Sequence, residues 1–148
     1  MIYQKSKNKT GFENIIVLIS KALWNLINFL FKKKKSGKVV EQWKEVQELM
    51  VKDDPHAWAM AVMKADSILD SVLQKREETR LGEPSRGSTM GERLKNMKNK
   101  LDREILQSAW DAHKVRNQIA HGDSGITRVQ AQQAIADFRK VLNCLNEL

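Results

Sequence analysis

The sequence predicts an all-α protein, a helical bundle of about four long helices and one short one, preceded by a separate hydrophobic amino-terminal helix. Three observations carry this. Helix formers such as Ala, Leu, Lys, Glu and Gln are frequent, while only two prolines and seven glycines interrupt 148 residues. Apolar residues recur at threes and fours and show no period-two alternation. Two Thr-x-x-Glu/Gln patterns, Thr89 with Glu92 and Thr127 with Gln130, have the form of helix-opening capping boxes. A hydrophobic content of 41% suffices for a core, and the length suits one domain with an appendage.

The appendage comes first. After a tail over residues 1–11, residues 12–31 read as a membrane-anchor helix and 32–38 as a basic hinge. Between Ile15 and Phe31 the polar residues are Ser20, Lys21, Asn25 and Asn28, and the stretch would extend roughly 25 Å as a helix, slightly short of a bilayer core. Asn14, Lys21, Asn25, Asn28 and Lys32 fall on one narrow stripe opposite a wide apolar face. A cleaved signal peptide fits poorly, because the run ends in Phe31 and four lysines and not at small residues. A buried helix of the following domain is the plainer alternative, and the lysine run argues against it, since such helices seldom end in a dense cationic block. Eleven Leu, Ile, Val and Phe residues favour insertion by about 5 kcal/mol in sum, against about 3 for a central lysine plus the cost of two asparagines. That balance leaves spanning and in-plane helices both open, with spanning preferred. Contact with the membrane is assigned to residues 12–35. The lysines after the helix outnumber those before it, which puts the carboxyl-terminal domain in the cytoplasm.

The domain proper is read over 39–148. Val40, Trp43, Val46, Leu49 and Met50 mark a helix from about 38 to 52. Asp53 or Asp54 then caps a long helix that starts at Pro55 and carries Trp58, Ala61, Val62, Ala65, Leu69, Val72 and Leu73 inward. From Glu77 to Ser88 the pattern dissolves into a charged Gly/Pro loop. The Thr89 capping box opens a short helix through Leu94 and Met97. A further core helix from about 102 turns Ile105, Leu106, Trp110, Val115 and Ile119 inward and closes at Gly122. The Thr127 box opens the last helix, which packs through Ala131, Ala134, Ile135, Phe138, Val141, Leu142 and Leu145.

Charge and cysteine content exclude several classes of function. The net charge of +8 lies within residues 1–40, where nine lysines face one acid; the remaining 17 basic and 17 acidic residues balance. A basic overall composition is therefore weak support for nucleic-acid binding by the domain. Cys144 stands alone, reads as a core or near-surface thiol, and requires no oxidising compartment. No thiolate pair or close histidine spacing suits zinc, so no metal is expected. Phosphate-loop, nucleophile-elbow and dinucleotide fingerprints are missing from the sequence, and no small-molecule cofactor is expected. Trp43, Trp58 and Trp110 sit at core spacing and not as a stacking platform.

The stretch "WDAHKVRNQIAHGD" concentrates the chemistry. His113, Asn117 and His121 are spaced by four and share one side of a helix, with Arg116 beside them. Arg116 and His121 stand five apart, about 140° around an unbroken helix, so their convergence needs the helix to loosen near Gly122. A guanidinium offers a planar fork to phosphate oxygens, and an imidazole exchanges protons near neutral pH. Structural readings stay open beside this one. Arg116 also suits an interhelix salt bridge with Asp66, Asp70 or Asp111, Asn117 a bond to the loop, His121 a helix cap, and His113 a cover for the bundle flank.

"RNQIAH" resembles the Arg-polar-x3-His signature of the HEPN superfamily of all-helical domains. The stretches "QWKEVQELM", "ADSILDSVL", "TMGERLK" and "WDAHKVRNQIAH" extend that likeness over roughly residues 41–148, towards small bacterial HEPN-like proteins with a hydrophobic amino-terminal helix. The resemblance implies metal-independent endoribonuclease activity, with a non-catalytic interaction or RNA-binding module as the alternative. It implies a homodimer, with sites formed across a two-fold axis, and RNA as partner. Carried over by position, Arg116 would stabilise charge at phosphorus, His121 would act in proton transfer at a ribose 2′-hydroxyl, and Asn117 would orient the phosphate or the histidine. His113 and Asp66 are expected in support, Asp66 reaching the motif from the long helix.

Overall fold

The computed structural model describes residues 37–82, 88–122 and 125–148, together with Val17 and Lys21. The chain divides into two units, Met1–Lys34 and Lys35–Leu148. Val17 and Lys21 apart, the anchor expected over 12–31 lies outside the described residues, as does most of the hinge. Among the described residues no helix is long and apolar enough to cross a membrane.

The described part of the second unit is all-helical, with four long helices and one short one: α1 (Gly37–Val51), α2 (Pro55–Leu81), α3 (Met90–Asn96), α4 (Arg103–Ala120) and α5 (Arg128–Cys144). Local sequence accounts for most of the ends. Asp54 caps α2, its carboxylate accepting from the His56 N–H at 3.0 Å, with Pro55 in the first turn where a missing N–H is harmless. Both capping boxes form: Thr89 and Glu92 open α3, and Thr127 and Gln130 open α5. Gly82 and Gly122 lie just beyond α2 and α4 with φ of +74°, the left-handed conformation that a glycine adopts without strain.

At 27 residues, α2 is about 40 Å long and packs against each of the other four helices. Ala61, Val62, Ala65, Ile68, Leu69, Val72 and Leu73 along it are buried, and meet Trp43 and Val46 of α1 and Phe138, Val141 and Leu142 of α5 in one core. Among the described residues Phe138 is the largest side chain wholly withdrawn from solvent.

Two expectations need correction. The helix containing Glu77 does not end there but runs to Leu81. Glu, Thr and Arg are compatible with a helix, and this turn is tied down from outside. Arg76 donates to the Leu145 carbonyl and pairs with Glu147, while Asn96 of α3 donates to Glu77 at 3.0 Å. The chain breaks only at Gly82. In α1, Val39 and not Val40 is buried, in register with Trp43 and Val46. In α4, Ile105, Leu106, Trp110, Val115 and Ile119 do turn inward, partly buried against the core, and Ala109 and Ala112 beside them are wholly buried. Cys144 is exposed.

Candidate functional site

The polar residues of α4 meet a stripe of acids on α2. Asp66, Asp70 and Glu77 are spaced by four and seven, which stacks them along one face of the long helix. Each faces a nitrogen donor: Asp66 meets His113 and Arg116, Asp70 meets Arg93, and Glu77 meets Arg93 and Asn96. Among the described residues, Asp66 and Arg93 are the buried polar or charged ones, and both belong to this stripe of contacts.

At the Asp66 end, one carboxylate joins two side chains of α4. Its Oδ1 lies 2.7 Å from His113 Nδ1, and its Oδ2 lies 3.4 Å from Arg116 Nε. With a carboxylate acceptor on Nδ1, that nitrogen carries the proton, so in the neutral ring the lone pair belongs to Nε2. The Trp110 ring stands edge-on to the imidazole, with centroids 6.3 Å apart and planes at 72°, and limits rotation of the ring. Arg116 Nη1 donates to Asn117 Oδ1 at 3.0 Å. Arg116 Nε is buried yet makes no hydrogen bond, its contact with Asp66 being electrostatic and long.

These groups border an open recess of about 410 Å³. Asp66 and Asp70 of α2 form one wall, His113, Arg116 and Asn117 of α4 another, and the first turn of α3, Thr89 to Gly91, the third. Most of the acceptors on these walls are already engaged. Asp66 is taken by His113 and Arg116, Asp70 accepts from Arg93 Nη1 at 2.6 Å, and Thr89 and Glu92 satisfy one another. Donors remain. Arg116 Nη2, Asn117 Nδ2 and one proton on Arg116 Nη1 have no partner among the described residues. A recess with bound acceptors and unspent donors suits an oxyanion.

The structure thus brings together Asp66, His113, Arg116 and Asn117, and His121 is not among the residues lining the recess. Helix α4 continues through Ala120, His121 keeps αR backbone angles at the cap, and departure begins at Gly122. No loosening precedes His121, which lies exposed. Asp70, one of the partners the sequence offered for Arg116, borders the recess bound instead to Arg93, which the sequence did not single out. A signal existed: Arg93 falls on the Met90, Leu94, Met97 face of α3, where a cation demands an acid. Among the described residues no group of three His, Cys, Asp or Glu side chains is gathered for a metal ion.

Comparison with family models, curated proteins and solved structures gives no match to this chain.

Proposed function

We propose that residues 39–148 form a HEPN-like domain that cleaves RNA without a metal ion, held at the cytoplasmic face of a membrane by residues 12–35 and acting as a homodimer. The observation that carries the reading is the state of Arg116. Its Nε faces Asp66, its Nη1 is bound to Asn117, and the rest of its fork is unspent at the edge of a recess that also holds an imidazole. In this reading the fork and the Asn117 amide bind a phosphodiester and stabilise the charge that develops at phosphorus. A histidine exchanges the proton of the adjacent 2′-hydroxyl. His121, outside the recess of its own chain, takes part from a second subunit across a two-fold axis.

A non-catalytic interaction module is the second reading, favoured by the acid beside Arg116. Asp66 offsets its charge, and a domain of balanced charge lacks the cationic excess from which affinity for a polyanion mainly comes.

Incubation of the chain with end-labelled single-stranded RNA in excess chelator separates the two. The nuclease reading expects cleavage that falls about 100-fold or more in Arg116→Ala, the usual effect of losing a transition-state donor. Equal cleavage by wild type and variant, or none by either, leaves the module. Carbonate extraction of membranes tests the anchor: the chain stays in the pellet if residues 12–31 span the bilayer.

A further inference from the structure

We infer that His113, oriented by Asp66, is the imidazole that faces the scissile phosphodiester from the same chain as Arg116. The inference rests on the ribonuclease reading and names a residue for which the motif itself has no place.

Four observations converge. His113 and Arg116 are three residues apart on an unbroken helix, so they project from one face. Both lie against the two oxygens of a single carboxylate, at 2.7 and 3.4 Å, which keeps imidazole and guanidinium adjacent. The ring borders the recess, and no hydrogen bond occupies its Nε2 among the described residues. Finally, Asp66 is itself buried, with its side chain 7% exposed, so the acceptor that fixes the ring is shielded from competing water. A carboxylate on Nδ1 that leaves the lone pair to Nε2, in a ring that borders an open space, is the arrangement a general base requires.

The reaction balances with His113 as the base. Nε2 takes the 2′-hydroxyl proton as the O2′–P bond forms. The P–O5′ bond breaks with its electron pair going to O5′, which takes a proton from His121 of the second subunit on the opposite side of phosphorus; the His113 imidazolium then gives its proton to water, and His121 regains one from water. The products are a 2′,3′-cyclic phosphate and a 5′-hydroxyl end, and His113 is again neutral. Arg116 and Asn117 hold the non-bridging oxygens. Asp66 touches no reacting atom and is a positioning residue.

The test combines cleavage kinetics with nitrogen-15 spectra of the histidine rings in the full chain. Cleavage should fall at least 100-fold in His113→Gln. In Asp66→Asn the amide can donate to Nδ1 and shift the ring to the Nε2–H tautomer, so a loss of about 10²-fold or more should accompany a change of tautomer in the spectrum. A 2′-O-methyl oligonucleotide, which binds but has no nucleophile, should shift the His113 Nε2 resonance of the wild type.

Wild-type cleavage that survives His113→Gln and disappears in His121→Gln overturns the inference and leaves the ribonuclease reading intact. If the wild type does not cleave, that reading fails, and the spectra alone decide whether His113 faces a phosphodiester. A shift of its Nε2 on adding the oligonucleotide upholds that placement, and an unmoved resonance overturns it. The spectral arm uses the unaltered chain, so poor folding of a variant cannot obscure the answer.

Discussion

Asp66 holds two side chains of α4, and the geometry predicts which of them it holds more strongly. The perturbation is a pair of double-mutant cycles, Asp66→Ala with His113→Ala and Asp66→Ala with Arg116→Ala, read at pH 7. The His113 contact is 2.7 Å long between side chains that are 12% and 7% exposed, and a hydrogen bond to a charged group in such a place is worth about 1.5 to 3 kcal/mol. The Arg116 contact is 3.4 Å long, makes no hydrogen bond, and involves a side chain 34% exposed. Solvent screening brings a pair of that kind down to about 1 kcal/mol or less. The coupling energy with His113 should therefore come out near 2 kcal/mol and exceed that with Arg116 by about twofold.

Asp66→Ala alone should cost about 3 kcal/mol, the low end for breaking a buried pair, because Arg116 can rehydrate while His113 Nδ1 cannot do so easily. Urea unfolding followed by tryptophan fluorescence measures all the chains, and Trp110, edge-on to His113, lies at the reporting position. Equal couplings, or a larger one with Arg116, would refute the claim that Asp66 serves the imidazole first.

Two further predictions follow from neighbouring contacts. A methyl group added at Gly91 would meet the Trp110 ring at 3.5 Å, an ordinary contact, so Gly91→Ala should stabilise the chain by about 0.5 kcal/mol through its effect on the unfolded state; a lowered urea midpoint would count against this packing. The Asp111 carboxyl is held below its ordinary range, first by the Gln107 amide and then by Lys114. Its contribution to stability is thus present above about pH 4 and is lost as pH falls through the lowered folded value. In carbon-13 titrations Gln107→Ala should raise the Asp111 midpoint more than Lys114→Ala does, and the reverse order would overturn that ranking.

Features written in short sequence were the most legible. Thr89 with Glu92, Thr127 with Gln130, Asp54 before Pro55, and Gly122 all mark helix ends by bonds within a few residues. The helical turn after Glu77 was not legible, because its anchors, Leu145, Glu147 and Asn96, are remote in sequence. On α4 the apolar pattern drew attention to the large residues, which pack partly exposed against the core, whereas Ala109 and Ala112 are the ones wholly buried. The site divides in the same way. Spacing alone put His113, Arg116 and Asn117 on one helix, but three aspartates competed for Arg116, and only tertiary packing selects Asp66. The pairing of Arg93 with Asp70 depended on two helices meeting and left a weaker trace.

The acid stripe of α2 ends differently at its two extremities, and that contrast bears on function. Arg93 is 8% exposed, bound to Asp70 and close to Glu77, so its charge is enclosed by the protein. Arg116 is about one-third exposed and faces one carboxylate, with part of its fork unspent. The third wall beside it presents the first turn of α3, where Thr89 and Glu92 are turned upon each other. Buried ionic groups can often be replaced by well-packed apolar ones at no cost in stability. Stability alone is therefore a weak reason for an aspartate, a histidine and an arginine to meet here beside an open recess. On the proposed ribonuclease reading the meeting has a use, because binding a phosphodiester and moving its proton require a fixed imidazole, an anchored guanidinium and the space between them.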